Sequence, residues 1–210
     1  MQDIIIVGAG GFGRELLQWI KDINRKKPTW NIKGFLDDNQ NALDDIKCDY
    51  QIIGSIKAWV PSENEVFAMG IAEPHIKETV AKKMKAQGAR FANIIHPTAL
   101  VAETAEYGEG IVMYPFSSLS VNCHIGSFLT LLSSGIPHDA QIGDYVTISS
   151  NCGLTRGVII GDRSFLADHA CILPERKIGE DAYIGMGSVV VRNVKVRTKV
   201  FGNPARTIER

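Results

Sequence analysis

The sequence predicts two architectures in one chain: a small parallel α/β sheet, then a parallel β-helix. Three observations predict them. Strands alternate with helices over residues 1–94, a glycine-rich turn joins the first strand to the first helix, and a six-residue hydrophobic beat runs over the remainder.

The α/β part opens on Ile4-Ile5-Ile6-Val7, a buried-strand run that enters Gly8-Ala9-Gly10-Gly11-Phe12-Gly13. An amphipathic helix follows, with Leu16, Leu17, Ile20 and Ile23 on one face and Pro28 at its end. Ile32 to Leu36 reads as the next strand, closing on Asp37-Asp38, and Gln51–Ile53 and Val66–Ile71 as two more. A helix from about His75 to Gln87 is capped by Gly88, and a last strand falls around Phe91 to Ile94. Strands alternating with helices argue a parallel sheet.

From Ile95 the period becomes six. The bulky positions are Ile95, Val101, Tyr107, Met113, Leu119, Ile125 and Leu131. After one step a residue short come Ile142, Ile148, Leu154, Ile160, Leu166, Ile172, Ile178, Ile184, Val190 and Val196. A period of six fits neither a helix nor an alternating strand, and sandwich strands do not hold one spacing over so many turns. Three such sides make a triangular coil of about 18 residues, with the aliphatic residue pointing to the axis and stacking on its equivalent one coil away. Small residues four positions after each beat, among them Ala99, Ala105, Ser117, Cys123, Gly135, Cys152, Ser164, Ala170, Ala182 and Ser188, are expected to turn inward near the corners. Glycine beside the aliphatic residue, as at Gly126, Gly143, Gly161, Gly179 and Gly185, is expected to take positive φ and turn the corner.

Composition narrows the function. Lys plus Arg balances Asp plus Glu at 23 each, which argues against a nucleic-acid or anionic-membrane partner. No apolar run is long enough to span a bilayer, and the N-terminus lacks the basic start and apolar stretch of a signal peptide. The 4 cysteines show no metal-ligand spacing, and Cys123 and Cys152 fall on inward positions; free thiols, no metal and a cytoplasmic protein are expected.

Two constellations carry chemistry. Gly8-x-Gly10-x-x-Gly13, between strand and helix, lets a ligand approach the backbone and offers helix N–H groups to phosphate. The acidic pair Asp37-Asp38 ends the next strand, where a carboxylate can hydrogen-bond a ribose or base. A short domain followed by a β-helix, with no hydride-transfer domain, favours a nucleotide-sugar over NAD; the same glycines also suit a tight turn with no ligand. Among 5 histidines, His138 stands out because the hexad count slips between Leu131 and Ile142, and a slip can re-aim a side chain out of the wall. His96, before Pro97, suits a turn or domain contact. His124 and His169 fall outside the inward positions, and His75 suits the first turn of a helix.

The whole chain resembles the bacterial sugar acyltransferase family that includes sialic acid O-acetyltransferases and UDP-4-amino-sugar N-acetyltransferases. The matching pieces are Val7-Gly8-Ala9-Gly10-Gly11-Phe12-Gly13-Arg14-Glu15, Phe35-Leu36-Asp37-Asp38, Ile95-His96-Pro97, His138-Asp139-Ala140-Gln141-Ile142-Gly143-Asp144 and Phe201-Gly202-Asn203-Pro204-Ala205. The resemblance implies a Rossmann-like domain over 1–94 and a left-handed β-helix over 95–210. It implies acetyl-CoA as co-substrate and a homotrimer with active sites between subunits, acting on a sugar or nucleotide-linked amino sugar for surface glycan biosynthesis. It places the acceptor at Gly10, Gly11, Phe12, Asp37, Asp38 and Gly70, and makes His138 the general base, assisted by Asp139 where relatives have Glu. It places acetyl-CoA against Arg156, Ala167, Asp168, Met186 and Gly187. Relatives often carry Gly in place of Arg156, Gly or Ala in place of Met186, and in some cases His in place of Phe12. These departures bear on the acetyl-CoA contacts and the substrate, not on the fold. Two other classes stay open: transfer to a non-sugar amine or alcohol such as serine, and a non-catalytic nucleotide-sugar-binding protein.

Overall fold

The computed structural model describes residues 1–208. Its first layer is a four-stranded parallel sheet of β1 (Gln2–Val7), β2 (Trp30–Leu36), β3 (Ile52–Gly54) and β4 (Glu65–Met69), in the order β3-β2-β1-β4. Helix α1 (Gly11–Lys26) follows β1 and helix α2 (Pro74–Ala86) follows β4. β1 is apolar from Ile4 through Val7 because both of its faces are covered: Ile4 and Ile6 pack with α1, Ile5 and Val7 with α2. The expected strand at Phe91–Ile94 is not one element. Phe91 makes a single parallel bridge to Phe67, and Ile94 already belongs to the solenoid.

The solenoid is a parallel β-helix with three faces. The docking face carries Ile94–Ile95, Val112–Met113, Thr130–Leu131, Thr147–Ile148, Phe165–Leu166, Tyr183–Ile184 and Lys199–Phe201. A second face carries Leu100–Val101, Ser118–Leu119 and Gly135–Ile136, and then, as a separate ladder, Gly153–Leu154, Cys171–Ile172 and Val189–Val190. The third runs unbroken from Glu106–Tyr107 to Lys177–Ile178. From Met113 onward the hexad aliphatics and the small corner residues form one continuous apolar axis, whereas Val101 and Tyr107 of the first coil, expected inward, are exposed at its open end.

Four details depart from the sequence reading. The corner glycines do not take positive φ; the left-handed residue lies two positions later and is rarely glycine, as at Phe128 (φ 61°), Tyr145 (59°) and Arg163 (54°). The glycines are there because coils stack closely: a Cβ on Gly143 would lie 2.2 Å from Asp162 Oδ1, and one on Gly179 2.4 Å from the Val196 nitrogen. The short step falls in the corner Leu132-Ser133-Ser134, so Ser134, not Gly135, takes the inward position. Its Oγ donates to the Ser149 carbonyl (2.8 Å) and accepts the Cys152 N–H (2.9 Å) that a backbone carbonyl would otherwise take. The second face is split at this level. Finally, Val194 and Val200 fill the last coil, and Val196 is 59% exposed.

The sheet domain sits on the docking face. Tyr114 stacks on Phe12 (5.8 Å between ring centres) and donates to Glu15 Oε2 (2.5 Å). On the other side Phe128 meets Phe91 edge-on (5.0 Å), and Arg163 pairs with Glu78 of α2 (3.2 Å).

Candidate active site

At the end of β1 the glycines divide into two kinds. Gly8 has φ 99°, a Cβ on Gly13 would lie 1.9 Å from the Gly8 carbonyl oxygen, and one on Gly70 would lie 2.8 Å from Val7 O. These three let β1, α1 and β4 close together, so packing alone accounts for Gly70. Gly10 and Gly11 are different: Gly10 has an ordinary φ of −65°, and a Cβ there would meet nothing within 4 Å. Bare backbone at the start of α1 therefore faces open space, beside the crevice between β1 and β4 where the strand order reverses and ligands of such sheets bind. Asp37 braces this loop: its Oδ2 accepts the Ala9 N–H (2.8 Å) and its Oδ1 the Asn39 N–H (2.8 Å). Asp38 turns away, accepting from Ser55 Oγ (2.6 Å) and the Lys57 N–H (3.1 Å), and the Ser55 bond holds its carboxyl below the usual range. The open-space residues of the expected acceptor site are thus Gly10 and Gly11, with Phe12 beside them against Tyr114.

His138 lies in the corner between the second and third faces. That corner has its full four residues, Pro137 to Ala140, so the slip sits one corner upstream and not at His138 itself. The side chain is half exposed, and its Nδ1 lies 2.7 Å from Asp139 Oδ2. The shorter acid reaches directly because Asp139 occupies the left-handed corner position (φ 60°), which sets its carboxylate beside the preceding ring. The bond to His138 is the main reason this carboxyl lies below its ordinary range, with a smaller contribution from Asn122. Asn122 occupies the same left-handed position one coil earlier (φ 55°). Sequence reading passed over it, although corner positions recur once per coil and its place follows from that spacing. With Nδ1 engaged, Nε2 is the ring atom left to take a proton.

The residues expected to meet acetyl-CoA fall on two different edges. Arg156 follows His138 along the same corner: the next residue, Gly157, donates its N–H to the His138 carbonyl (3.2 Å), and the Arg156 guanidinium pairs with Glu175 (3.3 Å). Ala167, Asp168, Met186 and Gly187 lie instead at the corner between the docking and second faces. There Ala167 is buried, Asp168 Oδ1 accepts the Ser150 N–H (3.0 Å), and Met186 is 66% exposed. Between the two edges runs the lower ladder of the second face, whose outward residues include the small Gly153 and Cys171. Within one chain the two sets flank a flat strip and do not close on a common cavity. At the C-terminal mouth of the prism Arg192, Lys195 and Arg206 ring a pit floored by Val190, Val194 and Val200.

The remaining histidines are accounted for. His96 is buried edge-on to Trp19 (5.3 Å), with Nδ1 2.8 Å from Thr98 Oγ1 and Nε2 3.5 Å from Asp22, a domain contact. His124 pairs with Glu106 on the third face (3.0 Å), His75 lies 3.5 Å from Asp181, and His169 is a left-handed corner residue beside Asp168. All 4 cysteines are free. Among the described residues no cluster suits a metal ion, and no helix is long and apolar enough to cross a membrane.

Triangular geometry fixes one more relation. The corner that holds His138 is the vertex opposite the docking face, so the prism itself stands between His138 and the crevice of the same chain.

A two-part chain of this kind, a small parallel sheet docked on a β-helix with an exposed His-Asp corner, defines a class of acyl-transfer scaffold, and comparison with known proteins places it within that class. Residues 3–84 match the PglD N-terminal domain. GDP-perosamine N-acetyltransferase of Escherichia coli O157:H7 is 32% identical over 98% of this chain and 96% of its own length. Among solved structures, PerB of Caulobacter crescentus in complex with CoA and GDP-perosamine superposes with a TM-score of 0.90 at 22% identity, covering 100% of this chain and 98% of that one. The acetyltransferase domain of PglB from Neisseria gonorrhoeae, in complex with acetyl coenzyme A, gives 0.88 at 23% identity over 99% of both chains. The chain belongs to the hexapeptide-repeat sugar acetyltransferase family.

Proposed function

We propose that this protein transfers an acetyl group from acetyl-CoA to the amino group of a nucleotide-linked amino sugar, with His138 as general base. The carrying observation is the half-exposed His138 with its Nδ1 held 2.7 Å from Asp139. The full-length relative named as a GDP-perosamine N-acetyltransferase supports the nitrogen acceptor and the nucleotide-linked substrate.

In this reading the sugar nucleotide lies in the crevice of the 1–94 domain, its phosphates toward the bare amides of Gly10 and Gly11. The 95–210 domain carries the chemistry. The acceptor nitrogen gives a proton to His138 Nε2 and attacks the thioester carbon. The tetrahedral intermediate then collapses, the C–S bond breaks, and the thiolate leaves and is protonated. Direct transfer fits because, among the described residues, no hydroxyl or thiol is bonded to His138: Ser134 is occupied by Ser149 and Cys152, and Ser133 by Pro115. The flat strip fits an extended pantetheine arm between Arg156 and Met186, with a neighbouring prism as the second wall. Because His138 sits opposite its own docking face, each site draws its base and its acceptor crevice from different subunits of a trimer.

Thiol release from acetyl-CoA across UDP-, dTDP- and GDP-linked 4-amino sugars, CMP-sialic acid, free sialic acid and serine tests this. Turnover with a nucleotide-linked amino sugar, lost by about 100-fold or more in His138→Ala with the fold retained, is expected. Full activity in His138→Ala would overturn the mechanism, and turnover on serine alone would overturn the substrate class.

A further inference from the structure

Helix α2 carries a fully buried lysine. The inward stripe of α2 is Pro74, Lys77, Ala81 and Met84, and Lys77 has no exposed surface at all. Its Nζ donates to Thr130 Oγ1 (3.0 Å), the Val146 carbonyl (3.1 Å) and Thr147 Oγ1 (3.0 Å), all on the solenoid. Three ammonium protons meet three oxygens, and none of them is a carboxylate. A buried charge so arranged is an expensive way to hold a helix, since an apolar residue of the same size serves packing as well or better.

What the arrangement adds is a link. Thr147 Oγ1, while accepting from Lys77, donates to the Ala72 carbonyl (2.5 Å). Ala72 lies between Gly70, which packs on Gly8 and Gly13 of the glycine loop, and Glu73, whose carboxylate caps α2 by accepting the Ile76 N–H (2.7 Å). Gly70 to Glu73 is thus one lip of the crevice between β1 and β4. The opposite lip is fastened to the same solenoid face by Phe12 and Glu15 on Tyr114.

We propose that Lys77 is a positioning residue: with Thr147 it pins the Gly70–Glu73 lip to its own solenoid and so sets where the acceptor lies relative to the catalytic corner of the neighbouring subunit. This deepens the acetyltransferase reading and rests on it.

The pin does not depend on the lysine's charge. Burial pushes Lys77 down to about 7, with Glu73 opposing. The neutral amine keeps two N–H donors for Val146 and Thr147, and its lone pair accepts from the Thr130 hydroxyl.

The test compares Lys77→Met and Thr147→Val with the wild-type protein in steady-state acetyl transfer, varying each substrate in turn. Lys77→Met is expected to lower kcat/KM for the sugar nucleotide by about 10- to 100-fold, with KM for acetyl-CoA within about twofold, because misplacement by about 1 Å is enough for such a loss. Thr147→Val, which cuts the link to Ala72 but keeps the lysine, is expected to do the same more weakly. Hydrogen exchange should speed up at the bonded amides of the lip, Gly70, Ile76 and Lys77, in both variants and stay unchanged along the hexad strands. A KM for acetyl-CoA that rises as much as kcat/KM for the sugar falls, or no change toward the sugar, would overturn the proposal; should Lys77→Met fail to fold, Thr147→Val decides alone. A wild-type protein that transfers no acetyl group to any sugar nucleotide refutes the function instead, and unchanged exchange at Gly70, Ile76 and Lys77 in the variants then still refutes the pin.

Discussion

Asp139 does two things with one carboxylate. It holds Nδ1 and so orients the imidazole, and in the proposed mechanism it faces the positive charge that the ring would carry once the acceptor's proton is on Nε2. Asn at 139 keeps the size and tolerates the left-handed backbone (φ 60°), so Asp139→Asn isolates the charge. It is expected to lower kcat roughly 10-fold or more with little change in melting temperature, read from thiol release and thermal unfolding side by side. A wild-type rate would show that the carboxylate only decorates the corner. His138 and Asp139 were legible in the sequence because they are adjacent and lie in a motif that matches a family. The contacts of Asn122 and Lys77 were not, since the partners of the first are brought close only by coiling and those of the second only by docking of α2 on the solenoid. Lys77 did leave a trace: a single cation in the stripe Pro74, Lys77, Ala81 and Met84 contradicts an apolar helix face.

At the scale of the element, the short corner Leu132-Ser133-Ser134 shows how a β-helix absorbs a missing residue. Ser134 turns inward and its hydroxyl substitutes for backbone groups on both sides. Ser134→Ala leaves the Cys152 N–H and the Ser149 carbonyl without that partner, and is expected to destabilise the protein by about 1–3 kcal/mol in urea unfolding. Ser133→Ala, one residue away on the exposed side of the same corner, is expected to cost under about 0.5 kcal/mol. Equal stabilities would show that the corner closes without the serine. The period of six located the solenoid and its inward aliphatics, because burial demands them at every side. It misread the corner glycines, because a sequence does not distinguish a glycine needed for its φ from one needed for the coil stacked against it, as at Gly143. It also carried the beat one step too far, to Val196, where the last coil closes irregularly on Val194 and Val200.

On the scale of the whole molecule, the position of His138 opposite the docking face divides each proposed site between two chains. Mixing makes this measurable. Gly10 faces open space, so Gly10→Trp fills the crevice without crowding the fold. Gly10→Trp and His138→Ala are each expected to be inactive alone, while trimers assembled from both recover a fraction of wild-type turnover, since one of their interfaces joins an intact crevice to an intact base. No recovery on co-assembly, shown by mass, would mean that each chain serves itself. That a sheet precedes a solenoid was readable from the change of period near residue 95. The mutual placement was not, because it depends on which face receives the sheet, a choice made by Tyr114, Phe128 and Arg163.

The left-handed corner residues point to a separation of duties. Phe116, Asn122, Tyr145, Asn151, Arg163, His169 and Asp139 all adopt the same backbone, although their side chains share neither size nor charge. Such a scaffold is nearly indifferent to what is written at its vertices. The axis stores the instructions for coiling, and the corners are left free to carry contacts as different as the docking of Phe128 and Arg163 and the exposed pair of His138 with Asp139.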